Sequence, residues 1–127
     1  MKIDIGCGSS KRPGFIGIDI TPAPGVDHVV DIVRDPLPFV DNSVYHVYSS
    51  HCFEHLVSPI NILSEIGRVC KDDATIEICV PYGHHNDGLL CGHITFYTEE
   101  FWHHLTLLHP DVWLPILKGR WLWTEVN

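Results

Sequence analysis

Short apolar runs that each stop on a glycine, an aspartate or a serine constrain this chain more than any other feature. Ile3-Asp4-Ile5 stops at Gly6-Cys7-Gly8, Gly17-Ile18 at Asp19, Val29-Val30 at Asp31, and the alternating Val44–Tyr48 at Ser49-Ser50-His51. Runs of this length rich in β-branched residues, bounded by turn formers, read as strands. The predicted strands are Lys2–Gly6, Phe15–Ile20, His28–Val33, Val44–Ser49 and Ala74–Val80, the last stopped by Pro81. Helical spacing appears at Pro59–Cys70, where Ile60, Leu63, Ile66 and Val69/Cys70 recur, and again after Thr98, where Phe101, Leu105 and Leu108 share a face. The tail Val112–Val126 is expected to add one or two closing strands. Strands that alternate with helices or long connections imply an α/β fold with a mostly parallel, doubly wound sheet. Ligands then bind beyond the carboxyl ends of the strands, where the polar residues of this chain are concentrated.

Composition narrows the partners. A chain of 127 residues is read as one domain, residues 1–127, with a single hydrophobic core. Acidic residues outnumber basic ones 16 to 8, and no Lys/Arg cluster is present to neutralise phosphates, which argues against a nucleic acid. No apolar stretch reaches membrane-span length, so no membrane association is expected. The cysteines number five and show no CxxC spacing, which suits a reducing, cytoplasmic location. Small molecules or neutral partners are expected instead.

The strand-end residues suggest a nucleoside-like ligand. Glycines at a strand end let the backbone approach a ligand and adopt positive φ. The nicotinamide fingerprint fails, because Lys11 stands where its third glycine should be. The acidic residue after the second strand, Asp19, also comes sooner than that fingerprint requires. A carboxylate at Asp19 can accept both hydroxyls of a ribose, and Asp31 can accept from an adenine amino group.

Five segments together carry a family resemblance: Ile3-Asp4-Ile5-Gly6-Cys7-Gly8, Gly17-Ile18-Asp19-Ile20, Leu37–Val44, His51-Cys52-Phe53-Glu54-His55-Leu56 and Glu65-Ile66-Gly67-Arg68-Val69. In this order, over residues 1 to about 81, the chain resembles the class I S-adenosylmethionine-dependent methyltransferases, in their small type 11-like branch. The resemblance implies a Rossmann-like fold and S-adenosylmethionine as cofactor, with S-adenosylhomocysteine as product. It implies cofactor contacts at Asp4, Gly6, Cys7, Gly8, Asp19, Ile20, Asp31, Ile32, Ser50 and His51. His51 or His93 is expected to orient or deprotonate the acceptor, since neutral imidazole suits a base near neutral pH.

Two departures from the family pattern set further expectations. Only Ser9–Gly14 separate Gly8 from the second strand, too few for the usual crossover helix. Lys11 or Arg12 could then compensate for the missing helix terminus by charge. With the first strand opening the sequence, the family's helices ahead of it are not expected, and a minimal version of the fold is. A homodimer or a partner subunit could cover the cofactor, with Trp113, Trp121 and Trp123 as a candidate surface. The commoner use of such tryptophans is packing on the chain's own core.

Two alternatives accompany the enzyme reading. One is a non-catalytic or partner-dependent S-adenosylmethionine-binding module. The other follows from His51-Cys52-Phe53-Glu54-His55, which spells H-x-x-E-H and would suit a zinc hydrolase with a third ligand such as Glu65. That motif needs a helix, and here it follows a strand, so no metal is assigned.

Overall fold

The computed structural model describes residues 1–122. Five strands form one sheet: β1 (Lys2–Ile5), β2 (Ile16–Asp19), β3 (His28–Val29), β4 (Val44–Ser50) and β5 (Cys70–Cys79). Their order is β3-β2-β1-β4-β5, and every pair is parallel. The direction of winding reverses between β1 and β4, so those two strand ends flank the switch point where open α/β sheets bind ligands.

The described residues hold three α-helices: α1 (Ile60–Val69), between β4 and β5, α2 (Glu99–His103), which continues as a π-helical turn over His104–Leu108, and α3 (Pro110–Leu117). α1 forms where sequence spacing places it and buries Ile62, Leu63, Ile66 and Val69. These pack with Ile3, Ile5, Ile18 and Val47 in one core. The predicted closing strands in the tail are not formed over the described part: Pro110 opens α3 instead, as proline does in a first helical turn. Trp113 and Trp121 pack against the core, while Trp123 lies outside the described residues.

No helix joins β1 to β2 or β2 to β3. The fold is thus Rossmann-like with its first crossovers reduced to loops. The register puts Lys2 beside His46, Asp4 beside Tyr48, and Tyr48 beside Glu77, on the face opposite Ile3, Ile5 and Val47. Side chains cover this face among the described residues. The Arg12 guanidinium lies 4.5 Å from the Tyr48 ring centre and 5.3 Å from that of Phe15, and it donates to Glu77 at 2.8 Å.

Candidate active site

The turn after β1 is tied to carboxylates of its own sheet. Gly6 (φ +72°) and Gly8 (φ +50°) adopt the left-handed backbone, which glycine enters without steric cost. The amides of Gly6 and Cys7 both donate to the Ile18 carbonyl, at 2.8 and 3.2 Å. The Gly8 amide donates to Asp19 Oδ2 at 2.8 Å, and the Arg12 amide to Asp4 Oδ2 at 2.7 Å. Asp19 Oδ1 accepts from Thr21 N at 2.9 Å. A carboxylate offers about four acceptor positions, so Asp19 keeps half of them for a ligand.

Two hollows meet at Gly6. The larger, about 310 Å³, is bordered by Asp19, Ile20, Asp31, Ile32, His51 and Leu56, together with Val30, Val33, Cys52 and His55. Its apolar walls with carboxylates set among them suit a flat ring carrying a hydroxylated sugar. The smaller, about 270 Å³, is bordered by Asp4, Cys7, Ser10, Tyr48 and Ser50. Every expected cofactor residue except Gly8 borders one hollow or the other, and Gly8 holds Asp19 in place.

Burial sets the character of several groups. The Asp4 carboxyl is buried, and loss of water raises its pKa, opposed by the Arg12 amide and by the charges of Arg12 and Lys11. A cationic group entering the smaller hollow would offset that loss of water and favour the carboxylate. The Cys52 thiol, beneath Gly6, is pushed up to about 12, first by burial and then by nearby carboxylates, and is no nucleophile. Cys7 shifts in the same direction for the same first reason. All five cysteines are free.

Lys11 and Arg12, expected to compensate by charge for the missing helix terminus, are each held in an ion pair. Lys11 Nζ pairs with Asp27 Oδ2 at 2.9 Å, holding that carboxyl below its ordinary value, and Arg12 is committed to Glu77. Arg12 contributes its backbone amide instead.

The two expected acceptor-side histidines occupy different places. His51 borders the larger hollow in a left-handed conformation (φ +52°), its amide donating to the Cys79 carbonyl at 2.9 Å. His93 borders neither hollow and packs edge-on to His55, ring centres 4.9 Å apart. Phe53–His55 form a 3₁₀ turn rather than the helix that the H-x-x-E-H motif requires. Glu65 is bound by Arg68 at 2.6 Å and by the Leu37 amide at 2.7 Å, so it is not a third metal ligand.

Sequence reasoning missed Tyr48 and Ser10 in the smaller hollow and Leu56 and His55 in the larger. Tyr48 had a signal: it precedes Ser50 by two residues on one strand, so both point to one face.

Comparison with known proteins agrees with the architecture. A search of curated proteins found no match. Among solved structures the chain resembles one described as "Complex between the Haloferax volcanii Trm112 methyltransferase activator and the putative methyltransferase", with a TM-score of 0.59 and 24% identity. The match covers 81% of this chain and 57% of that one, so the present chain spans little more than half of its length. No helix among the described residues is long and apolar enough to cross a membrane. A family model described as a methyltransferase domain matches residues 3–78. That stretch holds all but the ends of the parallel sheet, with the strand-end residues of both hollows, and by it the chain belongs to the type 11 methyltransferase-domain family.

Proposed function

We propose that this chain binds S-adenosylmethionine across the switch point and transfers its methyl group to a small-molecule acceptor. The meeting of two hollows at Gly6 carries the reading, one bordered by Asp19 and Asp31, the other by Asp4 and Ser50. The cofactor supplies a methyl group on a sulfonium with a good leaving group, so the protein's task is chiefly alignment. Asp19 accepts the ribose hydroxyls on its free lone pairs. Ile20, Ile32 and Leu56 enclose the adenine, and Asp31 accepts from its amino group. Asp4 and Ser50 hold the amino-acid end, with the open backbone of Gly6 and Gly8 between. His51, at the rim, orients the acceptor or takes its proton where the nucleophile is protonated.

Calorimetric titration with S-adenosylmethionine and S-adenosylhomocysteine, beside an Asp19→Ala control, tests the cofactor. Binding that disappears in the control supports the reading. Methyl transfer to a panel of small acceptors, compared with His51→Ala, then tests the chemistry. Wild type that binds neither cofactor form, alone or with a partner present, overturns the reading.

Two observations favour a partner-dependent variant. No crossover helix stands over β1 and β2, and the similar solved structure is a complex with a methyltransferase activator. Cofactor binding that emerges only after a Trm112 activator is added would make the domain one subunit of a two-chain enzyme.

A further inference from the structure

Glu54 is the buried charge that the cofactor site leaves unused. Its side chain is 3% exposed, and neither carboxylate oxygen has a hydrogen-bond partner. A carboxylate withdrawn from water without a donor is among the costliest arrangements in a protein, and it normally signals a compensating charge. The nearest cation-capable atoms are imidazole nitrogens. His51 Nδ1 stands 3.5 Å and His55 Nε2 3.8 Å from Glu54 Oε1, both beyond hydrogen-bond distance. His93 Nδ1 is likewise buried without a partner. One ligand atom from each of Glu54, His55 and His93 lies within 4.8 Å of the other two.

The surroundings prepare these atoms for coordination. His55 Nδ1 lies 2.9 Å from the Gly92 carbonyl, an acceptor only, so Nδ1 is the donor there and Nε2 is the nitrogen turned to coordination. Metal-bound histidines are commonly held this way, the outer nitrogen donating to a backbone carbonyl. The loop that brings His93 is fastened to the same turn. The amides of Ile94 and Thr95 donate to the Glu54 carbonyl at 2.9 and 3.2 Å, the Thr95 hydroxyl donates to the Leu56 carbonyl, and Tyr97 OH donates to the Phe53 carbonyl at 3.2 Å. Backbone bonds thus fix the positions of three potential ligands that share no hydrogen bond with one another.

We propose that Glu54, His55 and His93 hold a divalent transition-metal ion of the zinc class at the wall of the larger hollow. Two imidazoles and one carboxylate form the donor set of open zinc sites, whereas magnesium and calcium favour oxygen ligands. Bonds of about 2.0–2.1 Å in a tetrahedron put ligand atoms about 3.3 Å apart. The Glu54–His55 separation of 3.8 Å needs to contract by about half an ångström to meet that, and the others, within 4.8 Å, by up to about 1.5 Å, so the side chains close in on the ion as it binds. The fourth position goes to water or to His51, which borders the hollow together with His55. The ion neutralises Glu54 and clamps the loop around His93 to the rim. The proposal does not rest on the cofactor reading.

Zinc titration of tag-free, chelator-stripped protein tests this, with cobalt(II) as the spectroscopic substitute. The expected result is one ion per chain and a melting temperature that rises with zinc, because the folded state alone assembles the site. Glu54→Gln and His93→Ala should each weaken binding by more than about tenfold, as removing even an outer partner of a metal ligand does that. A His84→Ala/His85→Ala double variant and Asp19→Ala should bind zinc as wild type does. Asp19→Ala, which removes the proposed ribose contact, thereby separates failure of the metal site from failure of the cofactor reading. Absence of zinc binding by wild type overturns the proposal, as does wild-type zinc affinity in both Glu54→Gln and His93→Ala. If either variant fails to fold, the cobalt(II) spectrum of wild type decides. Visible bands of low-symmetry coordination without a thiolate charge-transfer band support the site, and a thiolate band, or no visible change, overturns it.

Discussion

The Asp19 carboxylate receives the Gly8 amide at 2.8 Å, so the acid at the end of β2 is also the anchor of the glycine turn after β1. The group proposed to bind ribose therefore shapes the surface on which the rest of the cofactor lies. Asp19→Ala removes both functions and is expected to abolish measurable cofactor binding. Asp19→Asn keeps an acceptor for Gly8 while losing the charge. It should weaken affinity by about 10- to 100-fold, the usual worth of a hydrogen bond to a charged group. Calorimetry on both variants checks this order, and equal affinities for wild type and Asp19→Asn would remove the ribose role.

Gly6 cannot be replaced. Its φ of +72° disfavours any side chain, and an added Cβ would stand 2.5 Å from the Cys52 Cβ and closer still to its sulfur. Gly6→Ala should destabilise by about 1–3 kcal/mol, the range for overpacking, and should weaken cofactor binding because both hollows include this residue. Adding Cys52→Ala should not rescue stability, since the clashing Cβ remains. Thermal melts of the single and double variants decide it, and full rescue would place the strain in the sulfur alone.

Acid sensitivity follows from Glu65. Arg68 donates to it from Nε at 2.9 Å and from Nη2 at 2.6 Å, and to the carbonyls of Leu37 and Phe39 and to Asp41. This hub fastens α1 to the segment leading into β4. The Arg68 guanidinium, with the Leu37 amide, holds the Glu65 carboxyl below its ordinary value of 4.5 despite burial. A depressed carboxyl adds stability that is fully present above its unfolded pKa and disappears as pH falls through the folded one. Melting temperature should therefore fall as pH drops below about 4.5, to which Glu77, held down by His46 and Arg12, adds in the same direction. Glu65→Gln should be less stable by about 2–4 kcal/mol near neutral pH, with the gap closing in acid. A gap that is constant with pH would assign the effect to packing rather than charge.

How much of this was legible in the sequence depends on how local each cause is. β1, β2, β4 and α1 were readable because their side-chain periods are local, and the strand-end residues followed from them. That Asp19 and Asp31 border one hollow is legible because a parallel sheet places its carboxyl ends together. His93 was expected at the acceptor, yet its position depends on the Ile94 and Thr95 amides reaching the Glu54 carbonyl, about 40 residues away in sequence. The strands expected over Val112–Val126 give way to α3, whose first turn Pro110 marks and whose aliphatics and Trp113 fit either element. Arg12's place over Tyr48 and Phe15 arises from the loop's path across the sheet, which no local pattern encodes.

Gly67 sets how closely α1 and α3 pack. In an exposed helix, glycine to alanine is favourable by about 1 kcal/mol, since alanine loses less backbone freedom on folding. Here an added Cβ would stand 2.5 Å from the Leu117 carbonyl carbon and closer to its oxygen. Neither helix can yield without parting: Leu117 is 1% exposed and its neighbours Ile66 and Leu63 are fully buried. The clash should exceed the propensity gain, leaving Gly67→Ala destabilised by about 1–3 kcal/mol. Both hollows lie elsewhere, bordered by residues of the strand ends and of the turn after β4. Cofactor affinity measured well below the melting transition should therefore match wild type, in contrast to Gly6→Ala. Denaturant titration and calorimetry on the same preparation check the pair of expectations. An equal loss of affinity in both glycine variants would mean that the α1–α3 contact and the cofactor site are coupled through the sheet.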